Sequence, residues 1–179
     1  MTITIKGKKH RIDIASFKRW WKGIHIYQLS PDEILKVLNL SDATCVDINY
    51  IMDESECEKS LFHNSCLDYA RNNYQKFVKK KYKVPDNLKD GDMWSRYILA
   101  YLLGTYHCAP LIYDNRNFSD EDIHSAIEDF ASQLLLTSAA IEEAKKISGI
   151  TVNQVSKKYN VPPHVIRRRL SNLHRNAHQ

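Results

Sequence analysis

Residues Arg96 to Cys108 read RYILAYLLGTYHC, and this stretch decides how the chain is expected to fold. Almost every position from Met93 to His107 is apolar or aromatic. A helix that is apolar on all sides is normally buried at the centre of a domain. The stretch therefore predicts a central, buried helix over Met93–His107, with the rest of the chain packed around it.

The same stretch has the spacing of the H-E-x-x-H helix of zinc peptidases, but other residues stand at the three chemical positions. In that motif two histidines one turn apart bind one zinc ion, and the glutamate activates the metal-bound water. Here the positions are Tyr101, Leu102 and Thr105. Neither Tyr101 nor Thr105 offers an imidazole, and Leu102 cannot accept a proton. We therefore expect no peptidase activity, no bound metal and no other cofactor.

Three blocks of the chain resemble the ImmA/IrrE metallopeptidase family, in the family's order. RYILAYLLGTYHC is similar to its RFTLAHELGHYLL helix, and IEDFASQLLLTSAAI to its second signature, roughly E-x-x-A-x-x-F-A-x-x-L-L-M-P. TVNQVSKKYNVPPHVIRRRLSNL resembles the closing helix pair, usually LAxxFxVSxxxxxxRL. The resemblance covers Met93 to about Leu173 well and Met1 to Pro31 more weakly. Aligning the Phe130-Ala131 pair places the family's third zinc ligand, a glutamate, at His124.

The resemblance implies an α+β, mostly helical, zincin-like domain with a small N-terminal sheet and a C-terminal helix-turn-helix-like pair. We expect one domain over residues 1–179. Its expected parts are a small sheet region at 1–55, an added helical segment at 56–85, degenerate active-site helices at 93–149 and a basic helix pair at 150–175. Patterns rich in β-forming residues predict strands at Thr2–Ile5, Arg11–Ile14, Ile24–Leu29 and Ala43–Met52.

Local signals predict where several helices begin. A proline followed by two acids predicts a helix over Pro31–Leu38. Ser119 with Asp122, and Thr151 with Gln154, have the spacing of capping boxes. The helix after Ser119 is expected to bury an apolar stripe at Ile123, Ile127, Phe130 and Leu134.

The composition is typical of an intracellular globular domain. The chain has 179 residues, of which 43% are hydrophobic, and it contains no apolar run long enough to span a bilayer. The basic N-terminus also lacks the apolar core of a signal peptide. We therefore expect a cytoplasmic protein with no membrane contact and four reduced cysteines.

Positive charge is concentrated at the C-terminus and raises the alternative of a DNA-binding regulator. Two short helices with arginines on the second resemble a helix-turn-helix motif. Ile166, Leu170 and Leu173 define the expected buried face, with Arg167 and Arg168 outside it. The competing interpretation is a structural pair with a basic outer face. Candidate contacts to nucleic acid or to an acidic partner are Lys157, Lys158, Arg167, Arg168, Arg169 and Arg175.

The leading hypothesis follows from the resemblance. Members of that family commonly sit in mobile elements and stress operons, where they cleave or otherwise relieve a helix-turn-helix repressor. A member without zinc ligands could still bind such a repressor, because recognition does not require the metal. We therefore expect a catalytically inactive regulator of a phage or mobile element, for instance an antirepressor. Candidate protein-partner contacts lie on the added segment, at Tyr74, Lys79, Lys80, Lys81 and Tyr82.

A residual zinc peptidase is the third hypothesis, and it would need a relocated metal. His107, Cys108 and His124 are ligand types. His107, however, follows Tyr101 by six residues, and at about 100° per residue it is rotated away from the motif face. The nearest carboxylates of the second signature, such as Glu128, lie on another helix with no sequence reason to point inward.

Overall fold

The computed structural model describes residues 2–6, 8–12, 26–57, 63–113 and 118–177. Within them the chain is mostly helical, with one small antiparallel sheet at the N-terminus. Strand β1 (Thr2–Ile5) pairs with β2 (Lys8–Arg11), so that Thr2 lies opposite Arg11 and Ile5 opposite Lys8. Ile3 and Ile5 are buried, and β1 lies against the long helix Asp120–Leu135.

Ten α-helices follow in the described residues. They are α1 (Pro31–Val37), α2 (Ile48–Ser55), α3 (His63–Asn73), α4 (Lys80–Tyr82), α5 (Met93–His107), α6 (Ala109–Tyr113), α7 (Asp120–Leu135), α8 (Ser138–Lys145), α9 (Val152–Tyr159) and α10 (Pro163–Ala177). A π-helical turn, Tyr74–Lys79, joins α3 to α4 without a break. We call the resulting continuous helix, residues 63–82, the cover helix.

Helices α5 and α7 lie at the centre of the core. The side chain of Asp92 caps α5 by accepting hydrogen bonds from the backbone N–H groups of Trp94 and Ser95. Helix α5 crosses α7 at Gly104, where an added Cβ atom would lie only 2.9 Å from the carbonyl oxygen of Ile127. Because glycine has no Cβ, the two backbones can approach this closely at that point.

Arg96 ties the start of α5 to two distant parts of the chain. Its guanidinium donates to the carbonyl oxygens of Tyr159 and Asn160 at 2.9 and 2.7 Å, and to that of Val46 at 2.9 Å. The Arg96 residue is 8% exposed. These bonds satisfy carbonyl groups at the end of α9 and before α2, and they fix both segments on α5.

The sequence predicted the central helices correctly. The helix over Met93–His107 is confirmed at both ends, and α1 begins at Pro31 as expected. Capping boxes are confirmed at Ser119 and Thr151. The apolar stripe of α7 is also buried as predicted, at Ile123, Ile127, Phe130 and Leu134.

The strand predicted over Ala43–Met52 is wrong, because a helix forms there. The side chain of Asp47 accepts hydrogen bonds from the N–H groups of Asn49 and Tyr50 and caps α2. Within α2, Ile48 and Ile51 are three residues apart and both fully buried, so a helix buries the same β-branched side chains that favour a strand.

The other two corrections concern the N-terminal strands. The segment predicted as the strand Ile24–Leu29 contains a 3₁₀ turn at Ile26–Gln28, and residues 24–25 lie outside the described part. The second strand of the hairpin is Lys8–Arg11 rather than Arg11–Ile14. Only two residues separate it from β1, so pairing resumes at Lys8. Residues 13–14 are not described.

The buried face of α10 differs from the expected one. Ile166 is buried, but Leu170 is 38% exposed, and Arg169 and Asn172 are both buried. The buried face of α10 therefore includes polar side chains, and a pattern of apolar residues alone could not predict it. Among the described residues, no helix is both long and apolar enough to cross a membrane.

The close crossing at Gly104 predicts an unusual response to alanine. Inside a helix, Gly→Ala ordinarily stabilises by about 0.5–1 kcal/mol. At Gly104 the new Cβ would meet the backbone of α7, so we expect Gly104→Ala to destabilise by about 1–3 kcal/mol. Denaturant unfolding of the two proteins measures the difference. An unchanged or increased free energy of unfolding would contradict the close crossing.

Candidate functional site

The positions aligned with two of the zinc ligands form a buried hydrogen-bonded pair. The Tyr101 Oη atom lies 2.7 Å from Nδ1 of His124. Both residues are buried, and burial raises the pKa of Tyr101 while it lowers that of His124 to about 3. At neutral pH the pair therefore consists of a protonated hydroxyl and a neutral imidazole.

The remaining motif positions are also used in packing. Thr105 is fully buried, and its Oγ1 donates to the carbonyl oxygen of Tyr101 at 3.0 Å. Leu102 is half-buried and packs on the core, where it lines a small cavity with Leu67 and Tyr74 of the cover helix. Leu102 therefore acts as a packing residue in this structure.

The cover helix places three aromatic rings on this site. Phe77 stacks on His124 with ring centroids 4.5 Å apart and planes 17° apart. Tyr82 stacks on His164 at 3.9 Å, and Tyr74 meets Tyr101 edge-on at 6.5 Å. The predicted added segment, as far as the structure describes it (56–57 and 63–85), therefore lies over the aligned ligand positions.

An ion-pair network beside this pair joins α7 to α10. Arg168 donates from Nε to Oδ1 of Asp129 at 2.6 Å and from Nη1 to Oε2 of Glu128 at 2.8 Å. Its Nη2 donates to the carbonyl and hydroxyl oxygens of Ser125 at 2.6 and 2.7 Å. Tyr97 donates to the other oxygen of Glu128 at 3.1 Å. Glu128 and Asp129 are 5% and 1% exposed, so Arg168 compensates charge inside the protein.

A cleft of about 430 Å³ opens above His124. Residues of the β1–β2 turn, the cover helix, α7 and α10 line it. Five of the lining side chains are cationic and two are carboxylates. Lys6 pairs with Asp122 at 2.7 Å, and Lys76 lies 3.7 Å from Asp120. The lining residues are Lys6, Lys76, Phe77, Lys80, Lys81, Glu121, His124, Ser125, Glu128 and Arg168.

The predicted contacts on the added segment divide into two groups. Tyr74 meets the ring of Tyr101 edge-on, Tyr82 stacks on His164, and Lys79 pairs with Asp86 at 2.8 Å. Lys80 and Lys81 line the cleft and form no ion pair with a carboxylate of the described chain. These two lysines are therefore the members of the predicted set that are available to an anionic partner.

The predicted contacts of the C-terminal pair are mostly engaged within the protein. The prediction that Arg168 lies outside is wrong, since it binds Glu128 and Asp129. Arg169 is 6% exposed and donates to the carbonyl oxygen of Leu136. Lys158 pairs with Glu143 at 2.6 Å, Arg175 donates to Asn172, and Lys157 and Arg167 are exposed. The arginine run predicted as a groove-reading face is largely an internal one.

Sequence reasoning missed Glu128, Asp129 and His164 as members of the site. Glu128 and Asp129 fall between the stripe positions Ile127 and Phe130, so the apolar pattern of α7 gave no signal of their burial. His164 is 9% exposed and lies between the rings of Tyr82 and Trp94. No sequence pattern singled it out.

The residues at the aligned positions do not fit a zinc site. Only His124 offers an imidazole, and its Nδ1 is bonded to Tyr101. The relocated set does not converge either. His107 lies beside the carbonyl oxygen of Tyr27, and no three His, Cys, Asp or Glu side chains of the described residues, Cys108 included, group as metal ligands.

No family model, curated protein or solved structure matches this chain.

Arg168 and Arg167 provide a matched pair for testing the internal network. Arg168→Ala leaves Glu128 and Asp129 buried without their counter-charge, so we expect a loss of about 3–5 kcal/mol of unfolding free energy. Arg167→Ala removes an exposed charge and should change it by less than about 0.5 kcal/mol. Denaturant unfolding compares the two variants. Equal effects would show that the network contributes nothing to stability.

Three buried histidines predict that stability falls in mild acid. Burial lowers the pKa of His107 to about 4 and those of His124 and His164 to about 3. Below about pH 6.5 the unfolded chain therefore binds protons that the native state does not, and the free energy of unfolding decreases as the pH falls toward 4. Burial raises the pKa of Glu128, which acts in the opposite direction, but three histidines outnumber one carboxyl.

We expect a loss of about 1–2 kcal/mol per buried histidine between about pH 7 and pH 5, measured by denaturant unfolding at each pH. His164→Phe should remove about one third of this pH dependence. Because the Nε2 of His164 is buried without a hydrogen-bond partner among the described residues, the variant should also be nearly neutral or stabilising at pH 7. His174→Phe, at an exposed position, is the control. An unchanged pH dependence in His164→Phe would contradict the buried neutral state.

Proposed function

We propose that this protein is a catalytically inactive, zincin-like member of the ImmA/IrrE family that regulates by binding a partner protein. The proposed partner is a helix-turn-helix repressor of the phage or mobile element that carries the gene, and the proposed location is the cytoplasm. The single observation that carries the proposal is the hydrogen bond between Tyr101 and His124 beneath Phe77. The positions aligned with metal ligands serve packing instead.

The loss of the chemistry is supported at each aligned position. Water activation needs a general base beside the metal, and the aligned residue, Leu102, packs on the core. Glu128 is the carboxylate closest to His124, and its oxygens are already engaged by Tyr97 and Arg168. A peptidase mechanism therefore has neither its ligands nor its base in this arrangement.

A recognition role is supported by the charge on the cover helix. Between Lys76 and Lys83 the chain carries five lysines and no acid. Lys80 and Lys81 among them face the cleft and lie in no ion pair with described residues. A surface of this kind speeds the encounter with an acidic partner and disfavours basic ones. The engagement of Arg168 and Arg169 inside the protein argues against DNA reading by α10.

The direct test is to incubate the protein with the helix-turn-helix repressor encoded nearest to its gene. We expect a stable complex by size-exclusion chromatography, with the repressor intact on a denaturing gel. Leu102→Glu should not restore cleavage, and it should destabilise the protein by a few kcal/mol because it half-buries an unpaired carboxylate. Repressor fragments, or no complex with any protein in a pull-down from the native host, would refute the proposal.

Charge reversal locates the binding surface. Lys80→Glu with Lys81→Glu should weaken the complex by tenfold or more, roughly the effect of two charged contacts. Lys36→Glu with Lys89→Glu makes the same change in net charge at exposed positions that do not line the cleft. This control pair should leave the affinity close to that of the native protein.

A further inference from the structure

The floor of the cleft presents hydrogen-bond donors. The Tyr101 hydroxyl has no other acceptor among the described residues, so it donates to Nδ1 of His124. A neutral imidazole that accepts at Nδ1 carries its proton on Nε2. His124 therefore presents an N–H group on the cleft side, 3.6 Å from Oε2 of Glu128.

Arg168 and Ser125 add donors at the same floor. A guanidinium has five N–H groups, and the described contacts of Arg168 use four: one to Asp129, one to Glu128 and two to Ser125. The fifth is on Nη1. The Ser125 hydroxyl accepts from Arg168, and its own proton has no acceptor among the described residues. Each of these residues lines the cleft.

The mouth of the cleft is cationic. Lys80 and Lys81 come from the cover helix, and Lys81 together with Arg168 contributes to the low pKa of His124, after burial. The carboxylate of Glu121 acts on Lys6. The hydrogen bond from Lys6 to Asp122 is the main cause that raises the pKa of Lys6, and the charge of Glu121 adds to it. Lysines above and N–H and O–H groups below suit an anion with several acceptor oxygens.

We propose that this cleft binds the phosphoryl group of a small phosphate-bearing ligand. Lys80 and Lys81 neutralise its charge, and His124, Ser125 and Arg168 donate hydrogen bonds to its oxygens. A phosphate dianion has enough charge for two ammonium groups and enough oxygens for the donors, whereas one carboxylate has neither. The volume of about 430 Å³ suits a small molecule rather than a folded segment of a partner.

Glu128 makes the site selective between oxyanions. Its Oε2 is the acceptor at the floor, and an ionised carboxylate repels a fully deprotonated anion. Inorganic phosphate keeps one proton as its dianion, and a phosphate ester keeps one as its monoanion, which its second pKa of about 6 makes accessible. Either species can donate this proton to Oε2 of Glu128, whereas sulfate has no proton to donate at neutral pH. We therefore expect phosphate to bind more tightly than sulfate.

Isothermal titration calorimetry of the purified protein, without any partner, tests the site. Inorganic phosphate at constant ionic strength should bind saturably, and sulfate should bind more weakly. Because a bound anion stabilises the imidazolium, saturating phosphate should also raise the pKa of His124 in an NMR titration. A nucleoside monophosphate is the second probe. Tighter binding than inorganic phosphate assigns the phosphoryl group to a nucleotide, and equal or weaker binding assigns it to free phosphate; both support the site.

The variants separate a built site from general charge attraction. Lys80→Gln with Lys81→Gln should weaken phosphate binding by about tenfold or more, since two charge-assisted contacts are lost. Lys36→Gln with Lys89→Gln removes the same charge outside the cleft and should have no effect. Absence of saturable phosphate binding, equal binding of sulfate, or equal losses in both double variants would overturn the proposal. None of these measurements involves the repressor, so this site and the proposed function can fail separately.

Discussion

The close crossing of α5 and α7 at Gly104 is the constraint on which the rest of the structure depends. It sets the distance between α5, which carries Tyr97 and Tyr101, and α7, which carries their partners Glu128 and His124. With a larger residue at position 104, the two helices would separate and these hydroxyls would lose their partners. An unpaired buried polar group costs free energy. The two hydrogen bonds therefore favour the short distance between α5 and α7 that the glycine allows.

The polar groups at the site act together rather than as separate pairs. Arg168 holds Glu128 and Asp129 in an environment that excludes most water, and Glu128 in turn accepts from Tyr97. Buried networks of this kind fix one arrangement when every member is satisfied. The C-terminal helix is therefore bound to the core by charge as well as by apolar packing, and this binding uses the arginine that looked available to DNA.

The sequence predicted the helices whose signals are local, and it failed where tertiary partners decide. Capping at Ser119 and the apolar run of α5 depend on neighbouring residues. The role of Arg168 depends on partners 39 and 40 residues away, so a basic run read alone predicts a solvated face. Likewise, the β-branched residues after Val46 favour a strand, but Asp47 caps a helix at the same place, and the helix forms.

The cover helix links the buried histidines to the cationic cleft. Its inward side supplies rings that stack on His124 and His164, and its other side supplies the lysines of the cleft. Phe77 lies within the π-helical turn, a rare geometry that occurs frequently at functional sites. The same turn that stacks Phe77 on His124 carries Lys76, and Lys80 follows it directly, so it sets the position of both lysines around the cleft. One helix therefore both packs on His124 and His164 and supplies lysines to the cleft.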